Sequence, residues 1–160
     1  MIQIAQYQAQ HADGVIGVIL PIQLSEFEIP VSLATQPDLL NISSHYQHGI
    51  GNFWVAVAGD EVVGTAALLD LGQQQGALRK MFVKSAYRGA EHGVGKRLLE
   101  TVVDWCEDKL VREIYLGTTA RFLAAHRFYE KNGFVEISSQ ELPATFPVMV
   151  VDTKFYRRIL

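Results

Sequence analysis

Between residues 78 and 119 the apolar residues change their period twice, and this change constrains the fold more than any other feature of the chain. "LRKMFVKS" at 78–85 reads as a strand. From Gly93 onward Val94, Leu98, Leu99, Val102, Val103 and Cys106 recur at helical intervals, which predicts an amphipathic helix over 93–110. "REIYLGTT" at 112–119 then returns to a strand pattern. Strand, helix and strand in this order make a βαβ unit whose strands lie parallel and next to each other or nearly so. Ligands of such units sit at the carboxyl ends of the strands, where helix N-termini point.

The rest of the chain supplies more strands and helices and no repeat. "MIQIAQYQ" alternates like a first strand, and residues 11–28 read as a helix interrupted at Pro21. "PDLLNISSHYQHG" predicts a second helix, with Pro37 near its start and Gly49 after its end. "NFWVAVAGDEVVGTAALLDLG" is strand, turn and strand, so with the strand that follows it forms an antiparallel meander. Beyond the βαβ unit, "RFLAAHRFYEKNG" is a helix stopped by Gly133, and "FVEISSQ" and "VMVVDTKFYRRIL" carry the last strand patterns. The fold class expected is α/β (α+β): a mixed, mostly antiparallel twisted sheet with a central parallel βαβ unit and flanking helices.

At 160 residues and 49% hydrophobic composition the chain buries one core, so a single domain over 1–160 is expected. A formal net charge of −3 with no run of Lys or Arg argues against nucleic acid as a partner. The N-terminus has neither the positive lead nor the apolar core of a secretory signal, and no stretch approaches a membrane span. We therefore expect a cytoplasmic protein with no membrane partner. Cys106 cannot form an internal disulfide, and its place in the apolar helical pattern predicts a buried, inert thiol.

The loop that enters the 93–110 helix is "YRGAEHGVGKRLL", residues 87–99. The first amides of a helix have no internal partner and carry partial positive charge, so those of Gly93, Val94, Gly95 and Lys96 can surround phosphate oxygens. Arg88, Lys96 and Arg97 add charge nearby. Taken alone the loop also fits a plain glycine turn. A dinucleotide fingerprint would need glycine at Leu98, and a P-loop would need glycine at Ala90 and Ser or Thr at Arg97.

A second constellation narrows the reading. Residues 78–136, with "YLGTT" and "AAHRFYEKNGF" at this distance from the glycine loop, resemble the core of the GNAT family, N-acetyltransferases that use acetyl-coenzyme A. The resemblance implies that the loop holds the coenzyme pyrophosphate, through Arg88, Gly89, Gly93, Val94, Gly95 and Lys96. It implies that the main chain of Met81, Phe82 and Val83 pairs with the pantetheine arm. It also implies that the Phe128-Tyr129 pair lies at the coenzyme, with the Tyr129 hydroxyl near the thioester sulfur. Two positions depart from the family pattern: Ala90 stands where its loop begins with Gln or Arg, and Phe122 stands where an asparagine often precedes the tyrosine by seven residues.

The implied chemistry assigns further roles. An oxyanion at the acetyl carbonyl needs a fixed N–H donor, for which Phe82 or Val83 is suited. A tyrosine of pKa about 10 can protonate a thiolate whose acid has pKa about 8.5, and His126, three residues before Tyr129, could shuttle a proton or cap. A base for the attacking amine is sought among Asp70, Glu26 and Glu28, with Phe27, Trp54 and Phe146 lining an acceptor pocket built from 21–40 and 138–150. The expected activity is direct transfer of an acetyl group from acetyl-coenzyme A to a small-molecule primary amine, with no metal and with a homodimer allowed. The alternative is a non-catalytic sensor that binds acyl-coenzyme A.

Overall fold

The structure, a computed structural model, describes residues 1–26 and 32–160, with Glu26 described by its backbone. Phe27 and Glu28 lie outside the described residues. Seven strands, β1 (Ile2–Gln6), β2 (Asn52–Ala58), β3 (Glu61–Gly72), β4 (Gln75–Val83), β5 (Glu113–Thr118), β6 (Val135–Ile137) and β7 (Lys154–Ile159), form one sheet in the order β1-β2-β3-β4-β5-β7-β6. Every pairing is antiparallel except β4 with β5. The expected mixed sheet with one parallel unit is the fold observed.

Helices cover both faces. On one, α3 (Val94–Asp108) and α4 (Leu123–Lys131) pack Leu98, Leu99, Val102 and Tyr129 against Trp54, Ala66 and Leu78. On the other, α1 (Ala12–Pro21) and α2 (Ile42–Tyr46) pack Val15, Val18, Ile19 and Tyr46 against Phe53, Val55 and Ala67. The alternation of β2 explains this division, because successive side chains point to opposite faces and both faces here are apolar. A smaller cluster of Leu71, Tyr115, Phe146 and Phe155 lies beneath the 138–150 loop.

Four segments differ from the sequence reading. The first helix ends its α-turns at Pro21 and continues as a π-helical turn, Ile22–Glu26, because proline lacks the N–H that the i−4 carbonyl would accept. The second divides into a 3₁₀ turn, Pro37–Leu40, and α2, separated by Asn41, whose side-chain amide donates to the Pro37 carbonyl and competes with the helix. The "FVEISSQ" strand keeps only Val135–Ile137 before Ser138 and Glu141 cap a 3₁₀ turn. The last strand starts at Lys154, because Asp152 Oδ2 accepts the Met149 N–H at 2.9 Å and holds 149–152 as a turn.

Two irregularities of β4 position the site. Its parallel ladder with β5 joins only Gln75–Ala77 to Glu113–Tyr115, and beyond this the two strands separate. On its other edge the register passes from Ala67↔Arg79 to Thr65↔Phe82, which leaves one extra residue on β4. Lys80, within that bulge, has φ +53°, a left-handed conformation that costs a lysine about 1–3 kcal/mol. The Thr65 hydroxyl pins it by donating to the Lys80 carbonyl at 2.6 Å.

Candidate active site

The glycine loop reaches α3 through Gly93, at φ +59°, a conformation that favours glycine. The Gly93 N–H is consumed by the Gly89 carbonyl at 3.1 Å, and the Arg97 N–H by the Gly93 carbonyl at 3.0 Å. The Gly93 amide, expected from the sequence to face phosphate, is therefore engaged within the loop. Gly93 and Gly89 shape the loop, and the amides left without a helical partner are those of Val94, Gly95 and Lys96. A Cβ at Gly95 would stand 3.6 Å from the Phe128 ring and 3.8 Å from Met81 Cε, so this helix start adjoins both β4 and α4. The Lys96 side chain is exposed and only 3.9 Å from Glu100 Oε1, an arrangement of little energetic weight.

The free edge of β4 continues the site. Lys84 N–H donates to the Val63 carbonyl at 2.8 Å, so by the alternation of an antiparallel pair Val83 directs its N–H and C=O away from β3. Arg88 Nε donates to that Val83 carbonyl at 2.7 Å from the same side. Phe82 has the opposite parity and faces Thr65, which removes its amide from the candidate oxyanion donors and leaves Val83. Met81, two residues before Val83, shares the outward side.

Where β4 and β5 separate, a cleft of about 700 Å³ opens. Met81 and Phe82 line it from β4, Gly117 and Thr118 from β5, and Phe122 and Tyr129 from α4. Among the described residues the Tyr129 hydroxyl has no hydrogen-bond partner, while its ring packs between Phe128 and Phe134 at centroid distances of 5.7 Å each. Burial pushes the Tyr129 hydroxyl well above the ordinary tyrosine range, so it carries its proton at neutral pH. The start of α4 also faces the cleft, with Leu123, Ala124 and Ala125 ahead of the first helical bond, His126 N–H to Phe122 O at 3.0 Å.

Free amides at the α3 start, an outward amide on β4 and a protonated phenol in the cleft thus lie on adjoining elements. Over residues 18–134 the sequence matches the Acetyltransferase (GNAT) family. The chain belongs to the GNAT family. It is 40% identical to an acetyltransferase of the GNAT family from Staphylococcus aureus, whose crystal structure superposes with a TM-score of 0.95 over 99% of each chain. N-acetylaspartate synthetase of Danio rerio is 34% identical over 110 residues, 68% of this chain and 38% of that protein. Probable N-acetyltransferase family 8 member 5 of Mus musculus matches 68% of this chain and 49% of its own length, so the chain spans about half or less of these curated relatives. N-acetylglutamate synthase from Neisseria gonorrhoeae, solved with coenzyme A and N-acetyl-glutamate, shares the fold at 19% identity and a TM-score of 0.77, over all of this chain and 35% of that one.

Coenzyme A, with which the Neisseria gonorrhoeae enzyme was solved, would suit the residues present here: unpaired amides for phosphate, an outward strand edge for pantetheine amides and a largely apolar cleft for a thioester. Among the described residues no group of three or more His, Cys, Asp or Glu is placed to hold a metal ion, and no helix is long and apolar enough to cross a membrane.

Several residues named from the sequence lie elsewhere. Asp70 accepts hydrogen bonds from Gly72 N–H at 2.8 Å and Ile50 N–H at 3.3 Å; it organises a turn and is not brought to the cleft. Trp54 is fully packed against Trp105 in the core. Phe146 does line the cleft. His126 is buried, and because a carbonyl only accepts, its Nε2–H donates to Thr119 O at 2.8 Å, which ties α4 to the end of β5 rather than leaving a surface imidazole. Cys106 is buried as expected, its thiol pushed up to about 12 by burial and then by Glu107.

The cleft also holds charges that sequence reasoning missed. Lys80 forms an ion pair with Asp38 at 3.5 Å, with side chains 6% and 10% exposed, and donates to Gln36, which pairs reciprocally with Gln23. Tyr46 donates to the same Asp38 oxygen at 2.6 Å. Burial alone would raise Asp38, but Lys80 and the Tyr46 hydrogen bond outweigh it and hold the carboxyl below its usual range. Across the cleft Asp152 lies over Gly117, and there burial prevails and raises the carboxyl, against the Met149 N–H, Arg79 and Lys80. An acidic residue just before a strand was the only signal for Asp152, and its approach to β4 depends on the fold.

Proposed function

We propose that residues 1–160 form one cytoplasmic N-acetyltransferase domain that transfers an acetyl group from acetyl-coenzyme A to the primary amine of a small molecule, by direct attack while both are bound. The observation that carries this reading is the protonated Tyr129 hydroxyl in the cleft between β4 and β5, without a hydrogen-bond partner among the described residues, with the free amides of the α3 start close by at Gly95, whose Cβ would stand 3.6 Å from the Phe128 ring. The names of relatives that act on small amines, N-acetylaspartate synthetase among them, support it.

In this reading the amides of Val94, Gly95 and Lys96 hold the pyrophosphate, and Arg88 and Lys96 add cationic charge. Met81 binds the pantetheine arm through its main chain, since the Val83 carbonyl accepts from Arg88 Nε and its N–H is kept for the acetyl oxygen. Phe128 packs beside Gly95 and limits the sideways freedom of the bound arm. The Val83 N–H, fixed in the strand, stabilises the negative charge that develops on the acetyl oxygen as the nitrogen–carbon bond forms. Tyr129 then gives its proton to sulfur as the carbon–sulfur bond breaks. The amine enters as an ammonium ion and loses two protons: one before attack, to a base, and one from the new amide nitrogen, which restores Tyr129. One proton is released in total.

A thiol-release assay with acetyl-coenzyme A and a panel of amines tests this. Release that requires an amine, with the acetylated amine found by mass spectrometry, is the expected result. Tight coenzyme binding without thiol release across the panel would instead establish a sensor.

A further inference from the structure

The far end of the cleft, away from α3, contains charges that the acetyl donor does not use. Among the described residues lining the cleft, those charged at neutral pH are Arg79, Lys80, Arg121 and Asp152. Lys80 is committed to Asp38 and Gln36. Arg79 is half-buried, and its one hydrogen bond among the described residues goes to the Met149 sulfur at 3.5 Å, a weak acceptor that leaves most of the guanidinium fork available. Asp152 stands opposite. Its Oδ2 accepts the Met149 N–H, and its carboxylate lies so close over β5 that a Cβ on Gly117 would be 2.7 Å from Oδ2. The lack of a side chain at Gly117 therefore lets this carboxylate reach into the cleft.

A cation with unused donors and an anion with an unused oxygen, facing one cavity, match a zwitterion. A di- or polyamine would need a second carboxylate, and among the described residues lining the cleft Asp152 is the only one, Asp38 behind it being held by Lys80 and Tyr46. A simple hydrophobic amine would leave the unused donors of the Arg79 guanidinium beside Phe146 and Pro147 without a hydrogen-bonding anion, since no bond from Arg79 to a carboxylate is formed among the described residues.

Building on the acetyltransferase reading, we propose that the acceptor is an amine bearing a carboxylate, of amino-acid type, whose carboxylate pairs with Arg79 and whose ammonium proton is taken by Asp152. The arginine fork binds the carboxylate in a bidentate way and orients the amine. Asp152 accepts one ammonium proton, freeing the lone pair to attack, and passes that proton to solvent after the product leaves. The charged groups acting on Asp152 are Arg79 and Lys80 from β4. The facing stretch of β5 is neutral at Gly117 and Thr118, and Arg121 enters the same cleft from the segment before α4. Asp152 must be ionised to act, so kcat/KM should fall as pH drops through its pKa, which burial places above the ordinary aspartate value of about 3.9.

The test uses thiol release with the twenty L-amino acids, their C-terminal amides and the matching decarboxylated amines. At least one free acid should exceed its amide and its decarboxylated amine by about tenfold or more in kcat/KM. Arg79→Gln should bring acid and amide within about twofold, mainly by raising KM for the acid. Asp152→Asn should lower kcat by about 10²-fold and abolish the acid limb of the pH profile. Gly117→Ala, which displaces the carboxylate without changing any charge, should reproduce part of that loss. Calorimetry with coenzyme A shows that each variant is folded and binds. Amines without a carboxylate acetylated as well as the acids, or an acid preference that survives Arg79→Gln, overturns the inference and leaves the acetyltransferase standing. Unchanged kcat and acid limb in Asp152→Asn overturns the role of Asp152. Coenzyme binding with no thiol release from any amine overturns both readings.

Discussion

Replacing Lys80 by methionine removes the cation of the buried pair while keeping the length and apolar stem of the side chain. With Lys80 6% and Asp38 10% exposed, the remaining carboxylate has little access to water. Loss of one partner of such a pair costs about 3–5 kcal/mol, against about 1 kcal/mol or less for a surface pair. The Tyr46 hydroxyl still donates to Asp38, which favours the lower part of that range. In a chain of 160 residues this corresponds to a fall in Tm of roughly 6–20 °C.

The sign of the pH dependence distinguishes this from a packing defect. In the wild type the Asp38 pKa lies below its unfolded value, so its contribution is present above about pH 4 and lost only as pH falls through the lower folded value. In Lys80→Met the largest opposing influence is gone, and burial, already the largest single one, should outweigh the Tyr46 hydrogen bond, Arg79 and His45 and raise the folded pKa above the unfolded one. The carboxylate then costs stability at neutral pH, and protonation relieves that cost. Urea unfolding of both proteins from pH 5 to pH 8 should show a deficit largest at the alkaline end. Adding Asp38→Asn, which keeps an acceptor for Tyr46, should recover at least half of it. A deficit below about 1 kcal/mol, or one constant across that range, would refute the buried-charge argument.

Tyr129→Phe keeps the packed ring and removes a hydroxyl with no described partner, so stability and coenzyme affinity should be nearly unchanged while kcat falls by about 10²-fold, measured by steady-state thiol release and calorimetry. Wild-type kcat with chemistry rate-limiting would make Tyr129 a packing residue. Gly95→Asp should fold, because its Cβ meets the Phe128 ring at an ordinary 3.6 Å and an acid suits a helix start. Its carboxylate should nonetheless weaken coenzyme A by about 2 kcal/mol, roughly 30-fold in Kd, and unchanged affinity by calorimetry would place the pyrophosphate elsewhere. Cys106→Ala should cost about 1 kcal/mol in denaturant titration and leave the rate within a few-fold. Loss of thiol release from a folded Cys106→Ala protein would point to an acyl-cysteine route.

The sequence alone determined those features that depend on neighbours along the chain. Helical spacing from Val94 to Cys106, strand alternation on either side and the glycines at 93 and 95 specified the βαβ unit and a helix start able to receive an anion. The resemblance carried by "FYEKNGF" implied a role for Tyr129, which the local helix pattern alone did not distinguish from a core aromatic. Hydrogen-bond competition decided the finer details: Gly89 takes the Gly93 amide, and strand parity assigns the outward N–H to Val83 instead of Phe82. The charged end of the cleft, where the acceptor is proposed to bind, was decided by tertiary structure. Asp38, Arg79 and Asp152 are far apart in the chain and have unremarkable neighbours, so no local pattern distinguishes them from solvated surface charges. The β4 bulge, the separation of β4 from β5 and the bare Cα of Gly117 bring Arg79 and Asp152 to one cavity and Asp38 against Lys80 on its wall, and only there do burial and opposing charge set what each can do.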